Sequence, residues 1–142
     1  MQKKKRILFF CKHNSCRSQI AEAYLRNIAS DCFDVFSAGL YPELIHPLVD
    51  VVMREDRIDI SGHTSKSIDL YLGKQMFDWI IIVCWEGEAG CPQLYPFAMN
   101  TERWPMSDPA SMTGDKEDVL RAFRHTRDQI KQRVQDWLTH NK

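Results

Sequence analysis

No apolar stretch in these 142 residues approaches the ~20 that a bilayer-spanning helix needs. Excess charge of either sign is also missing, since Lys plus Arg and Asp plus Glu both number 19. Bulk charge therefore gives no case for nucleic acid or a membrane surface as partner. Met1 to Arg6 is basic, but the apolar residues 7–10 are too few for a signal-peptide core, and no small-residue cleavage site follows. The expectation is a cytoplasmic protein. Internal repeats, linkers and low-complexity segments are absent as well, so the chain reads as one domain over 1–142. With 44% hydrophobic residues it is long enough to bury a core. Its five cysteines, in a reducing compartment, read as catalytic, metal-binding or bland rather than as structural disulfides.

What the chain does have is concentrated in residues 6–18, RILFFCKHNSCRS. Residues 7–10 form an apolar run of buried-strand length. From about residue 18 to 28 an amphipathic pattern places Ile20, Ala21, Tyr24, Leu25 and Ile28 at helical spacing. Between them lies a short loop of pattern C-x5-R-S, with Cys11 at its start and Arg17 and Ser18 at its end. Strand, tight loop and helix make a cradle for a tetrahedral oxyanion. Free N–H groups at a helix N-terminus point into such a loop, and the helix dipole adds positive charge. The planar fork of Arg17 suits two oxygens at once. That field favours thiolate over thiol, so Cys11 is expected below the free-cysteine pKa of about 8.5. The oxyanion-binding set is Lys12, His13, Asn14, Ser15, Cys16, Arg17 and Ser18. Ser18 is placed to hydrogen-bond the sulfur, and Asn14 suits a left-handed turn or a bracing side-chain bond.

Further along, Asp34 to Ser37 read as a short strand closed by Ala38 and Gly39. Pro47 opens a helix carrying Leu48, Val49, Val52 and Met53. Ser65 looks like an N-cap for a short helix with Ile68, Leu70, Tyr71 and Leu72. Residues 78–83 are the clearest later strand, 86–95 a loop with two Gly and a Pro, and 101–104 a last short strand. A long helix starts at Gly114 and Asp115 and runs to about Leu138. This alternation argues for a parallel sheet covered by helices on both faces. Ligands in such folds bind beyond the carboxyl ends of the strands. Cys11, Cys84 and the loop bearing Asp108 each follow a predicted strand, so all three are expected at one edge of the sheet.

Residues 11–24, CKHNSCRSQIAEAY, resemble the active-site loop of the low-molecular-weight protein tyrosine phosphatase superfamily. The wider pattern resembles its thioredoxin-coupled arsenate reductase branch. The matching pieces are Cys11 to Glu22, Phe36 to Gly39, Asp59 to Ser65, Cys84, Cys91, Trp104 and Asp108-Pro109-Ala110, which together span most of the chain. The resemblance implies a four-stranded, flavodoxin-like sheet. It also implies a relay. Cys11 attacks arsenate held by Arg17 and the loop amides; Cys84 attacks Cys11 and releases arsenite; Cys91 attacks Cys84; thioredoxin reduces the resulting Cys84–Cys91 disulfide. Without the resemblance, Cys84 and Cys91 also read as two core thiols or as half of a structural zinc site. No second close Cys/His pair completes four zinc ligands, and no metal or cofactor is expected.

Asp108 is the expected proton donor to the leaving oxygen, against the plainer reading of a turn residue before proline. Asn14, Glu22 and Ser37 match positions that help bind potassium in some arsenate reductases, but the fourth position is Lys66, whose ammonium suits the cation's place. Cys16 is out of register with Arg17 and is not the nucleophile. The competing readings are a phosphatase that hydrolyses phosphate monoesters through a Cys11 phosphocysteine, and a non-catalytic oxyanion or redox sensor. The expected partners are arsenate, phosphate or sulfate as ligand and thioredoxin as reductant, with a monomer as the expected state.

Overall fold

The computed structural model describes residues 3–93, 96 and 98–141. Four strands form one sheet: β1 (Lys5–Cys11), β2 (Phe33–Gly39), β3 (Phe77–Ile82) and β4 (Ala98–Arg103). Their spatial order is β2-β1-β3-β4 and every pairing is parallel. β1 is flanked on both edges by strands and packed on both faces of the sheet, so residues 7–11 are all buried. That is why it is apolar throughout rather than alternating. Phe10 stands opposite Ala38 on one side and Ile82 on the other, so β1, β2 and β3 end level. The chain winds outward to β2 and then crosses back past β1 to β3. The carboxyl end of β1 is therefore the switch point where such sheets open a crevice.

Three helices follow the strands: α1 (Arg17–Ala29), α2 (Pro47–Glu55) and α3 (Lys116–Asn141). Their apolar stripes bury Ile20, Tyr24, Val49, Met53, Phe123 and Ile130 against Ile7, Phe9, Ile81 and Val83 on one face of the sheet. Leu8, Phe10, Ile80 and Ile82 face the other way. They are covered by the single-turn 3-10 helix Ile68–Leu70, by Tyr71, and by Cys84 and Cys91. No helix among the described residues is long and apolar enough to cross a membrane.

Among the boundaries that differ from the sequence-based expectation are a helix cap and the start of β4. The cap before Ile68 is Ser67, whose hydroxyl accepts from the Asp69 N–H, and not Ser65. Residues 64–67 are drawn out along the end of β2 instead: Gly39 N–H donates to Lys66 O, Lys66 N–H donates to Asn14 Oδ1, and Ser65 Oγ donates to His13 O. Those bonds hold the segment extended, so the helical turn starts later and shrinks to three residues. β4 begins at Ala98, ahead of the expected residue 101, because it pairs with β3 from Phe77 onward. In the expected loop 86–95, Leu94 and Tyr95 lie outside the described residues.

Candidate active site

Cys11 is the last residue of β1, and the chain turns sharply through residues 12–16 into α1. Asn14 makes the turn with φ 51°, and its N–H reaches Cys11 Sγ at 3.3 Å. Asn14 is fully buried, and its amide orientation follows from its partners. Oδ1 accepts from Lys66 N–H at 2.8 Å and from Gln19 Nε2 at 3.0 Å. Nδ2 therefore donates, to Ser18 Oγ at 2.8 Å and Ser37 Oγ at 2.9 Å. Ser37 Oγ donates in turn to the buried Glu22 carboxylate. Ser18 Oγ, already an acceptor, has its proton left for Cys11 Sγ at 2.9 Å. This network thus presents two donors to the Cys11 sulfur, the Ser18 hydroxyl and the Asn14 backbone N–H. The loop needs room for this. A Cβ at Gly39 would fall 2.7 Å from Asn14 N and 2.9 Å from Lys12 O, so only glycine lets β2 approach so closely.

Asn14, Glu22 and Ser37 do not fit a monovalent cation here. The Asn14 and Glu22 oxygens are engaged as described, Arg26 sits 2.7 Å from Glu22 Oε2, and Lys66 Nζ lies 3.9 Å from Glu22 Oε1. The charge needed beside the buried carboxylate is supplied by the protein itself. Burial pushes the Lys66 ammonium below its usual range, Glu22 draws it back up, and Arg26 opposes that.

α1 begins at Arg17 with Cys16 as its N-cap, and no side chain caps the helix. Its first-turn amides are left for whatever enters the loop. The Arg17 side chain is 3% exposed, with Nη1 fixed by Met106 O at 2.9 Å. Its two outward nitrogens grip Glu88 in a two-pronged pair, Nη1 to Oε1 and Nη2 to Oε2, each at 2.7 Å. Burial works against the Arg17 charge, but Glu88, Cys11 and Asp108 together more than offset it and hold the guanidinium firmly protonated. Asp108 Oδ2 is 3.8 Å from Arg17 Nη2, while Oδ1 accepts from Ala110 N–H at 2.9 Å. Cys11, His13, Ser15, Cys16, Arg17 and Asp108 line one small depression. The His13 ring turns outward, with Nδ1 2.8 Å from Tyr41 O and 3.3 Å from Glu43. Cys16 is a poor second thiol, because burial pushes it up to about 12. The Lys12 stem lies against Gly90.

Cys84 comes two residues after β3, whose last residue, Ile82, stands opposite Phe10, the neighbour of Cys11. It is disulfide-bonded to Cys91, with Cα atoms 6.1 Å apart. The sulfurs therefore serve each other and not a metal. The intervening turn is closed by Glu88 N–H to Trp85 O and Cys91 N–H to Glu88 O. It folds over the cradle and delivers Glu88 to Arg17. At its far end Arg103 Nη1 donates to Cys91 Sγ at 3.0 Å and Nη2 to Pro92 O at 3.1 Å. Trp104 is buried against Phe9, and Trp85 is exposed beside the turn. Cys11, Arg17, Asp108, Cys84 and Cys91 thus gather at one rim of the sheet. Sequence reasoning missed Glu88 and Arg103. Glu88 was one of two acids in an irregular loop, and Arg103 was simply the end of a strand. Only the folded turn singles them out.

Residues 6–142 match the model of the family described as low molecular weight phosphotyrosine protein phosphatase. The chain is 37% identical over 134 residues to an arsenate reductase of Staphylococcus xylosus, covering 94% of this chain and 96% of that one. A solved arsenate reductase in a phosphate-binding state superposes with a TM-score of 0.81 at 32% identity, over 97% of this chain and 99% of the other. A thioredoxin-dependent arsenate reductase of Corynebacterium glutamicum superposes with a TM-score of 0.62 at 27% identity, over 94% of this chain and 63% of that one. The chain belongs to the low molecular weight phosphotyrosine protein phosphatase family and, within it, groups with the arsenate reductases.

Proposed function

We propose that the protein reduces arsenate to arsenite through a relay of Cys11, Cys84 and Cys91, and that a thioredoxin-type dithiol recycles it. Arsenate sits on the α1 N-terminus and the Arg17 fork. The Cys11 thiolate attacks arsenic, and Asp108 gives a proton to the oxygen that leaves as water. The Cys84 thiolate then attacks Cys11 Sγ. The S–As bond breaks, its electron pair stays on arsenic, and arsenite departs. Cys91 attacks Cys84, a Cys84–Cys91 bond forms, and Cys11 leaves as thiolate. A dithiol partner then reduces that bond, which suits a reducing compartment such as the cytoplasm.

The observation that carries this reading is the bonded Cys84–Cys91 pair at the rim that holds Cys11. A hydrolase has no use for that pair, which sets the phosphatase reading second. The arsenate reductase relatives and the thioredoxin-dependent neighbour support the substrate and reductant. The test follows NADPH oxidation with arsenate, thioredoxin and thioredoxin reductase for wild type, Cys84→Ser and Cys91→Ser. Cys84→Ser is expected to release no arsenite and Cys91→Ser to stop after about one turnover, both while still hydrolysing p-nitrophenyl phosphate. Undiminished multiple turnover in both would refute the relay.

A further inference from the structure

Arg103 stands where β4 ends, in register with Ile82 of β3, and the next residue is pinned by Trp104 N–H to Ile82 O at 2.8 Å. Its backbone is therefore part of the sheet that also fixes Cys84. From there the guanidinium reaches to Cys91 Sγ at 3.0 Å and to Pro92 O at 3.1 Å. Among the described residues it makes no ion pair with a carboxylate, so its charge is turned on the sulfur and a neutral carbonyl. Arg17, the other guanidinium at this rim, is held by Glu88 and Met106 O and serves the oxyanion seat.

We propose that Arg103 is a catalytic residue of the relay, holding the Cys91 sulfur as a thiolate when it bonds to, or leaves, Cys84. The inference rests on the relay reading given above. In the forward exchange Cys91 supplies the electron pair of the new Cys84–Cys91 bond. The Cys11–Cys84 bond breaks, and its pair departs on Cys11, where Ser18 and the Asn14 amide receive it. No net oxidation occurs in that step. In the reverse sense, a dithiol reductant's thiolate attacking Cys84 expels Cys91 with its electron pair, again beside Arg103. Both directions pass through one arrangement of atoms, the one in which Cys91 sits at bonding distance from Cys84. That is the position in which Arg103 touches it. A cation at a sulfur raises its thiolate fraction and makes it a better leaving group.

The test uses the full-length chain with Arg103→Gln, which keeps a hydrogen-bond donor without charge, and Arg103→Lys, which keeps the charge. Iodoacetamide labelling of Cys91 in the reduced protein, resolved by peptide mass spectrometry, gives its rate against pH. Arg103→Gln is expected to move the Cys91 midpoint up by about one unit, and Arg103→Lys to stay near wild type. Rapid mixing of reduced enzyme with arsenate and acid quenching reads formation of the Cys84–Cys91 bond. At pH 7 a roughly tenfold loss of thiolate, partly offset by a roughly threefold gain in its nucleophilicity, predicts about threefold slower formation in Arg103→Gln. The gap should close or invert at high pH. An Arg103→Gln variant with the wild-type midpoint and rate overturns the proposal, as does Arg103→Lys falling as far as Arg103→Gln. Loss of the relay itself is read separately: full turnover by Cys91→Ser removes the relay and the catalytic role of Arg103 with it.

Discussion

Ser18 and Gly39 each support the cradle with a single atom or the absence of one. Ser18 accepts from Asn14 and turns its proton to Cys11 Sγ at 2.9 Å. Ser18→Ala removes that donor and leaves Asn14 Nδ2 short of a partner. A hydrogen bond to a charged group contributes about 1.5–3 kcal/mol, so kcat for p-nitrophenyl phosphate should fall roughly ten- to hundredfold with the fold intact. Unchanged kcat would mean that the sulfur does not depend on the hydroxyl. Gly39 acts by what it lacks. A methyl group there would meet the backbone of residues 12–14 at 2.7 to 2.9 Å, and backbone cannot rotate aside as a side chain would. Gly39→Ala should cost about 1–3 kcal/mol in urea unfolding, typical of overpacking, and should weaken phosphate binding by displacing Asn14. Normal phosphate binding in that variant would show that β2 yields rather than the loop.

At the scale of elements, the disulfide-closed turn from Cys84 to Cys91 lies over the N-terminus of α1 and places a carboxylate where an oxyanion belongs. Glu88 meets both outward nitrogens of Arg17, the geometry a tetrahedral anion would use. The oxidised form should therefore bind phosphate poorly. Glu88→Gln should strengthen that binding about tenfold or more, the worth of a charge-assisted contact, and leave the reduced form nearly unchanged. Phosphate titration calorimetry on both redox forms checks this, and equal affinity of oxidised wild type and variant would sink it. The same comparison explains what the sequence revealed. Cys11, Arg17 and Ser18 were legible because strand, loop and helix are contiguous, so spacing alone fixes their geometry. Glu88 meets Arg17 across 71 residues, through the backbone path of an irregular turn, and no local pattern encodes that path. Ser65 failed as a cap for a related reason, since the bonds that keep residues 64–67 extended come from the loop after β1 and the end of β2.

For the whole molecule, the parallel sheet and its order of elements followed from alternating apolar strands and amphipathic helices, because burial alone enforces those periods. How the helices are tied together did not, because that depends on charged partners far apart in sequence. Asp56, at the end of α2, accepts from the Tyr24 hydroxyl of α1 and from Lys131 Nζ of α3 at 3.2 Å. Glu55 accepts from Arg124 and Arg127 of α3 at 2.8 and 2.6 Å, and Arg127 also donates to Val52 O. The Tyr24 hydrogen bond and then Lys131 hold the Asp56 carboxyl below its usual range, against the opposing pull of burial. Arg124 and then Arg127 do the same for Glu55. A carboxyl whose pKa is lower folded than unfolded stabilises the fold above its unfolded value, near 3.9 for Asp and about 4.3 for Glu. That contribution is lost as pH falls through the folded value, because the unfolded chain takes up protons first. Urea midpoints should therefore fall steeply below about pH 4. Asp56→Asn should lower the midpoint at pH 7 and flatten the acid fall, since one of the carboxylates that drives it is gone. The variant isolates that clasp because it keeps the size of the side chain and its place at the end of α2. A variant whose midpoint falls with pH as steeply as wild type would assign the acid sensitivity to other carboxylates, with Glu55 and its two arginines the next to test.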